Sequence, residues 1–226
     1  MRFNRTEQLI GKGALEKLNG AHVAVFGVGG VGGYIAEALA RSGVGEITLI
    51  DKDVVDESNI NRQIIALTST IGQSKTALMK KRIEDVNPNA TVTAIDKFYL
   101  PENADEIDLS QFDYVADAID NVTAKIELIS RCKTMGVPVI SAMGAGNKLD
   151  PTAIRVCDIG KTDVCPLARV VRRETKKRGI TDFKVAYSTE KPNRSEGGER
   201  APASMICVPA TMGLVMASEI IKDLIK

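Results

Sequence analysis

Apolar positions along the chain form short unbroken runs, and stretches with helical spacing separate them. Residues 22–26 (HVAVF) and 46–50 (EITLI) are two such runs, typical of strands buried on both faces of a parallel sheet. Between them, residues 34–42 show the spacing of a helix, which Gly43 and Gly45 end. The pattern predicts a βαβ unit near the start of the chain.

The alternation of strands and helices continues to residue 150. Further helices are predicted over residues 6–19 (interrupted at Gly11 and Gly13), 74–86 and 123–135, and further strands over 90–96, 112–119 and 137–142. This order favours a Rossmann-like α/β fold with an open, mostly parallel sheet and helices on both of its faces.

The pattern changes after residue 150, where we expect the sheet to gain an antiparallel extension. The predicted elements are a strand over 152–158, a basic helix over 167–178, a polar flexible loop over 189–201, a strand over 205–208 and an amphipathic helix over 211–226. We interpret residues 1–226 as a single domain. Its segments are a helical arm (1–20), a nucleotide-binding core (21–150) and a substrate and loop region with the C-terminal helix (151–226).

Composition narrows the class of protein. The 226 residues are 44% hydrophobic with a formal net charge of +1, too apolar for a disordered chain and too neutral for a histone-like nucleic-acid binder. Four scattered cysteines without a CxxC pair fit a reducing cytoplasm. Residues 1–20 lack the apolar stretch of a signal peptide, and the charge-free residues 201–218 are short for a membrane span.

The strongest chemical signal is a glycine-rich sequence between the first strand and its helix. Its glycines are Gly27, Gly29, Gly30 and Gly32. Glycine lets the backbone approach a phosphate, and the following helix N-terminus donates unpaired N–H groups. Asp51 lies 24 residues after Gly27 at the end of the next strand, where a carboxylate can accept hydrogen bonds from ribose hydroxyls. We therefore predict a nucleotide site.

More polar residues follow predicted strands, and we expect them at the same edge of the sheet. They are Asp53, Asn59, Asn61, Arg62, Gln63, Lys75, Asp120 and Asn121. Ligands of open α/β sheets lie outside the carboxyl ends of the strands. Arg62 and Lys75 suit a triphosphate because they neutralise the charge that develops during transfer. Asp120 suits Mg²⁺, which prefers carboxylate and phosphate oxygens.

An NAD-binding oxidoreductase is an alternative interpretation of the glycine loop. Hydride transfer commonly uses a His or Lys acid or base. The only histidine, His22, precedes the glycines inside the first predicted strand, so we interpret it as structural. This alternative also leaves Arg62, Lys75 and Asp120 without a role.

In combination, these motifs resemble the ThiF/MoeB/HesA superfamily, the relatives of ubiquitin-activating enzymes. The matching residues are 2–5, 27–32, Asp51, 59–63, Lys75, Asp120 and Asn121. The resemblance implies a homodimeric enzyme that adenylates carboxylates with ATP and Mg²⁺. It implies that the glycines hold the phosphates, Asp51 the ribose and Asp120 the Mg²⁺.

The same resemblance implies three cationic catalytic residues. Arg62 and Lys75 would stabilise the transferring phosphates, and Arg5 would reach into the site of the partner subunit. One departure is Lys125, where the family often has Arg. Lysine lacks the planar fork that makes a bidentate pair.

Within this family, residues 62–67, 144–154 and 208–224 resemble the branch that dehydrates threonylcarbamoyladenosine in tRNA. That activity would adenylate the threonyl carboxylate, and the neighbouring ureido group would then close a ring. The alternative is activation of the C-terminal Gly-Gly of a ubiquitin-like sulfur carrier. Such activators commonly have zinc-binding CxxC pairs, which this sequence lacks, and we interpret Cys165 and Cys207 as buried small residues.

A tRNA substrate would need a positively charged surface. Residues 161–200 carry 11 Lys and Arg against 6 Asp and Glu, so a basic segment is hidden in the near-zero net charge. Its centre is a predicted helix with Arg169, Arg172, Arg173, Lys176, Lys177 and Arg178. We name these six residues the basic cluster and expect them to contact tRNA. A sulfurtransferase system is a further candidate partner.

Overall fold

The computed structural model describes residues 2–193 and 202–226. The helices are α1 (Asn4–Ile10), α2 (Lys12–Gly20), α3 (Gly32–Ser42), α4 (Lys75–Val86), α5 (Val122–Met135), α6 (Pro166–Lys176) and α7 (Cys207–Leu224). The strands are β1 (His22–Phe26), β2 (Glu46–Ile50), β3 (Thr91–Ile95), β4 (Tyr114–Asp117), β5 (Val139–Ala142), β6 (Ile154–Asp158) and β7 (Lys184–Ser188).

The strands of the described residues form one sheet in the order β3-β2-β1-β4-β5-β7-β6. All neighbours are parallel except β6 and β7. This confirms the predicted Rossmann-like fold with its antiparallel extension. The chain leaves β1 toward β2 on one side and returns to β4 on the other, so the strand order reverses at β1 and β4. Open α/β sheets bind ligands at such a reversal.

Strand β1 explains why this sheet is buried on both faces. Val23 and Val25 belong to the core layer that includes residues of α3, α4 and α7, whereas Ala24 and Phe26 belong to the layer that includes residues of α5 and α6. Side chains alternate across a strand, so an unbroken apolar run supplies both layers. The last residue, Phe26, is in register with Ile50 of β2 and Asp117 of β4. The carboxyl ends of these three strands therefore meet at one edge.

The carboxyl-terminal part differs from the prediction in two places. The strand expected over residues 205–208 is wrong, because α7 already begins at Cys207 and includes Pro209. Proline is tolerated in the first helical turn, where its missing N–H has no partner to lose. The partner of β6 is instead β7, which the sequence interpretation missed. Of the predicted loop over 189–201, residues 194–201 lie outside the described residues.

None of the described helices is both long and apolar enough to cross a bilayer.

Candidate active site

The glycine loop closes against the end of β4 at the strand-order reversal. Gly27 has a φ of +86°, and a Cβ there would lie 2.7 Å from the carbonyl oxygen of Ala118. A Cβ on Gly32 would lie 1.7 Å from the carbonyl oxygen of Gly27. Only glycine fits these two positions, since any side chain would collide with the backbone. The two glycines therefore fix the path by which β1 enters α3.

Asp51 holds this loop from the end of β2. One oxygen of its carboxylate accepts the backbone N–H of Val28 at 2.7 Å, and the other accepts that of Asp53 at 2.9 Å. An ionised carboxylate has about four acceptor sites, so these two bonds leave capacity for a ribose hydroxyl. The structure thus adds a positioning role to the predicted contact with ribose.

The segment after β2 brings Arg62 onto the glycine loop. The Cγ atom of Arg62 lies 3.4 Å from the position that a Cβ of Gly30 would take. Its guanidinium donates to the carbonyl oxygen of Ser58 at 2.7 Å and to Oδ1 of Asn61 at 2.8 Å. Asn59 is buried, and its Oδ1 accepts the backbone N–H of Asp56. Asn59 and Asn61 therefore shape the turn from which Arg62 projects.

Gln63 is the buried polar residue beside the loop. Its Nε2 lies 3.7 Å from the position that a Cβ of Gly29 would take. Its Oε1 has no hydrogen-bond partner among the described residues. Because an unsatisfied buried acceptor is unfavourable, this atom indicates that a ligand with a donor group belongs here.

Lys75 lies at the start of α4 next to the Asp51 turn. Its side chain is buried, and Nζ is 3.0 Å from the carboxylate of Asp53, which is half-exposed. The backbone N–H of Lys75 donates to the carbonyl oxygen of Asp53. Asp53 therefore anchors both the main chain and the ammonium group of Lys75, close to the residue that holds the glycine loop.

Asp120 and Asn121 follow β4 at the same edge. Asn121 accepts the N–H of Ala124 through its side chain and so caps α5. Asp120 is exposed, and its carboxylate makes no hydrogen bond or ion pair with any residue of 2–193 or 202–226. That carboxylate is thus available to a cation. No group of three or more metal-binding side chains occurs among the described residues.

Lys125 belongs to a buried cluster beneath this edge that the sequence interpretation missed. Its Nζ lies 2.8 Å from the carboxylate of Asp117 and 3.2 Å from Oγ of Ser141. The Ser141 hydroxyl donates to the same carboxylate, and Asp117 also accepts the N–H of Ile119. The cluster therefore joins β4, β5 and α5. The signal was present, since a carboxylate in an apolar strand needs a buried partner.

Arg5 does not join the other candidate residues within its own chain. It lies exposed on α1, in an arm that packs at the opposite edge of the sheet. There Phe3 approaches Gly43, and Arg2 donates to the carbonyl oxygens of Asp85 and Val86. Gly43 ends α3, whose 11 residues span about 16 Å from the glycine loop.

The two cysteines of the carboxyl-terminal part have different environments. Cys165 is buried as expected, but the expectation for Cys207 is wrong because this residue is exposed. Cys207 begins α7, and the preceding Ile206 is also exposed. Pro209 packs 3.5 Å from the position of a Gly30 Cβ, so the start of α7 adjoins the glycine loop.

His22 has the structural environment that we expected. Its Nε2 lies 2.8 Å from Oγ1 of Thr48, and its ring meets Phe112 edge-on with centroids 4.8 Å apart.

Some residues of the basic cluster already have hydrogen-bond or ion-pair partners within the chain. Arg172 donates to the carbonyl oxygen and hydroxyl of Thr162, and Glu174 pairs with both Arg173 and Lys177. Arg169 and Lys176 are exposed, and within the described ranges they form no ion pair.

An open parallel sheet with a glycine loop and cationic side chains at its strand reversal defines a nucleotide-binding α/β protein. The chain matches the model of the ThiF family over residues 3–226 and belongs to that family, which confirms the resemblance stated above. A tRNA threonylcarbamoyladenosine dehydratase of Bacillus subtilis (strain 168) is 45% identical over 240 residues, which cover 99% of this chain and 94% of the relative. The protein with the same name in Escherichia coli (strain K12) is 43% identical over 189 residues, 84% of this chain and 69% of that one.

Solved structures of a tRNA threonylcarbamoyladenosine dehydratase are also similar to this chain. E. coli tRNA N6-threonylcarbamoyladenosine dehydratase, TcdA, in complex with AMP has a TM-score of 0.93 at 38% identity. The same enzyme in complex with ATP has a TM-score of 0.90 at 38% identity. Each match covers 99% of this chain and 93% of the other. E. coli MccB, at 19% identity and a TM-score of 0.72, shares the fold.

Proposed function

We propose that this chain is an ATP-dependent dehydratase of threonylcarbamoyladenosine in tRNA. The observation that carries the proposal is the position of Arg62, which lies against Gly30 at the strand reversal of a ThiF-family fold. Two tRNA threonylcarbamoyladenosine dehydratases, aligned with this chain over 94% and 69% of their lengths, support the dehydratase function over other activities of the family.

ATP fits the residues of the site. Gly29 and Gly30 leave room beside the backbone, and the nearest described side chains there are those of Arg62, Gln63 and Pro209. The Oε1 atom of Gln63 has no hydrogen-bond donor among the described residues and can accept one from a ligand. Asp120 would hold Mg²⁺ together with phosphate oxygens, since this ion commonly takes one or two carboxylates and completes its shell from phosphate and water. Bound Mg²⁺ would neutralise charge on the phosphates.

The reaction follows as two group transfers. An oxygen of the threonyl carboxylate attacks the α-phosphorus of ATP, and the bond from that phosphorus to pyrophosphate breaks. The ureido group next attacks the acyl carbon, AMP leaves with the former carboxylate oxygen, and one ureido N–H proton is released. Arg62 and Lys75 stabilise the charge on the phosphates in the first step. No side chain of the protein has to act as a nucleophile.

The proposed site is completed by a second copy of the chain. Phe3, two residues before Arg5, approaches Gly43, which lies about one α3 length from the glycine loop of the same chain, so we assign Arg5 to the site of a partner subunit. Leu9 on the same arm is 84% exposed. Three more exposed apolar residues, Ile60, Leu67 and Ile71, flank the Arg62 segment. Both patches would be covered in a homodimer.

The proposed tRNA surface is the exposed part of the basic cluster. Arg169 and Lys176 have no acidic partner in the described part of the chain, so both can neutralise phosphates and release counterions. We place this activity in the cytoplasm, and we regard the three segments of residues 1–226 as one functional unit.

Cys207 favours a second candidate, activation of a ubiquitin-like sulfur carrier. It is exposed at the start of α7, beside the glycine loop, where a thiol could receive an activated acyl group. This reaction would depend on the cysteine, whereas the dehydratase reaction would not.

The test is incubation of the protein with ATP, Mg²⁺ and tRNA that carries threonylcarbamoyladenosine. Mass spectrometry of the digested nucleosides should show the loss of one water from the modified base. Arg62→Ala and Asp120→Ala should abolish this loss. An unchanged base, with ATP–pyrophosphate exchange dependent on a Gly-Gly-ended carrier, would instead support the second candidate.

A further inference from the structure

A small cavity lies at the carboxyl edge of the sheet, beyond the residues assigned to ATP. Its volume is about 250 Å³, below the roughly 300–1,000 Å³ that drug-sized ligands occupy. It therefore suits a group of amino-acid size. Its walls come from the turn after β5, from the residues that follow β7 and from those that precede α7. The lining residues are Asn147, Lys148, Leu149, Asn193, Ala203, Ser204 and Met205.

Lys148 is the one cationic residue among those lining residues, and it is only 4% exposed. Its Nζ donates to the carbonyl oxygen of Ser188 at 3.1 Å, which uses one of three N–H groups. Lys148 forms no ion pair with the described residues. The nearby carboxylate of Glu190 accepts the N–H groups of Leu149 and Asp150 instead. Burial lowers the pKa of Lys148, although Cys165 and Glu190 oppose this shift.

Among the described residues, this buried ammonium group has no carboxylate partner, which is an unfavourable arrangement. An anionic ligand would remove that penalty, because it supplies a counter-charge and accepts the two N–H groups that have no acceptor among the described residues.

The cavity adjoins the nucleotide site through Asn61. Nδ2 of Asn61 donates to the carbonyl oxygen of Ser204, which lines the cavity, at 2.8 Å. Oδ1 of the same side chain accepts from Arg62 at 2.8 Å, and Arg62 lies against Gly30. One asparagine therefore separates the cavity from the cation assigned to the phosphates.

Asn147 joins the parts of the cavity wall through three hydrogen bonds. Its φ of 59° is left-handed, a conformation that asparagine tolerates better than most residues. Its N–H donates to the carbonyl oxygen of Ala203, its carbonyl oxygen accepts the N–H of Asn193, and its Oδ1 accepts the N–H of Ala203, each at 2.7 Å. Both flanks of the 194–201 segment are thereby fixed to the residue before Lys148.

We propose that this cavity binds the threonyl group of the substrate and that the ammonium group of Lys148 holds its carboxylate next to the α-phosphate of ATP. This inference rests on the proposed dehydratase function and adds a substrate-binding residue to it. The ligand class is a hydroxylated amino-acid carboxylate. Lys148 retains that carboxylate before its oxygen attacks the phosphorus.

The test is the binding preference for modified over unmodified tRNA. Dissociation constants are measured for tRNA with threonylcarbamoyladenosine and for the same tRNA with plain adenosine, both with α,β-methylene ATP, which prevents adenylation. We expect wild type to prefer the modified tRNA by about 10- to 100-fold, the size of one charge-assisted contact. Lys148→Gln and Lys148→Met should remove the preference, whereas Lys148→Arg should retain most of it.

Two controls separate binding from folding. The affinity for ATP without tRNA should stay unchanged in all three Lys148 variants, and a change would mean that Lys148 supports the nucleotide site instead. Lys81→Gln is the matched control, because Lys81 is an exposed lysine on α4 and its replacement should leave the preference intact.

The outcomes distinguish this inference from the proposed function. If wild type dehydrates the modified base and Lys148→Gln keeps the full preference, the substrate site is wrong and the dehydratase function stands. If wild type neither dehydrates the modified base nor binds the modified tRNA more tightly than the unmodified one, both the dehydratase function and the threonyl site are wrong.

Discussion

Lys125 and Asp117 form a buried ion pair, and removing one partner should destabilise the protein far more than removing both. Their side chains are fully buried, with Nζ 2.8 Å from the carboxylate. At an effective dielectric constant of about 20, two charges at this distance attract by roughly 6 kcal/mol. Desolvation of the two ions costs several kcal/mol each. The intact pair is thus close to neutral for stability.

Lys125→Met would leave the carboxylate of Asp117 with two partners among the described residues, the Ser141 hydroxyl and the Ile119 N–H. We expect the free energy of unfolding to fall by about 3–5 kcal/mol. In a chain of this size, that loss lowers the Tm by roughly 6–20 °C. Adding Asp117→Leu should restore most of the stability, because neither charge of the pair is then buried without its partner.

Urea unfolding followed by far-UV circular dichroism measures these differences. Lys133→Met is the matched control on the same helix, since it breaks a 3.0 Å pair with Asp182, which is 75% exposed. We expect it to change stability by less than about 1 kcal/mol. A similarly small loss for Lys125→Met, or a double variant no more stable than the single one, would refute the reasoning.

Three further predictions concern the site. Gly32→Ala should abolish ATP binding, measured by calorimetry, since its Cβ would lie 1.7 Å from a carbonyl oxygen; full affinity would contradict the loop geometry. The Cys207→Ala variant should retain most of the dehydration activity in the nucleoside assay, and loss of that activity would support thiol chemistry. Replacing Arg169 and Lys176 by Gln should weaken tRNA binding and make the slope of log affinity against log salt shallower by about 1.4–1.8. ATP affinity should stay constant, and an unchanged salt slope would exclude this tRNA surface.

The nucleotide half of the molecule could be predicted because its signals are local. The apolar run of β1 fills both faces of the sheet, and the steric demands of Gly27 and Gly32 arise within a single turn. Parallel strands then bring Arg62 and Asp120 to the same edge without further information. These local signals were enough to predict the Rossmann-like fold, and the strand order confirms it.

The carboxyl-terminal half depends on contacts between distant residues, and there the sequence interpretation was less successful. Strand β7 is short and follows a basic helix, so its identity becomes clear only from its pairing with β5 and β6. Pro209 resembles a turn residue but lies in the first turn of α7. Lys148 has no local motif, because its burial arises from the turn after β5, the end of β7 and the residues that precede α7.

The three hydrogen bonds of Asn147 have a consequence for how related enzymes can diverge. They fix Asn193 and Ala203 to one residue, so the two ends of the intervening sequence are held together whatever its length. Doubling the length of a flexible loop between fixed ends costs only about 0.6 kcal/mol in closure entropy. Insertions there can therefore accumulate with little effect on the fold or on the glycine loop. Such insertions can change which substrate is recognised without changing the residues assigned to ATP.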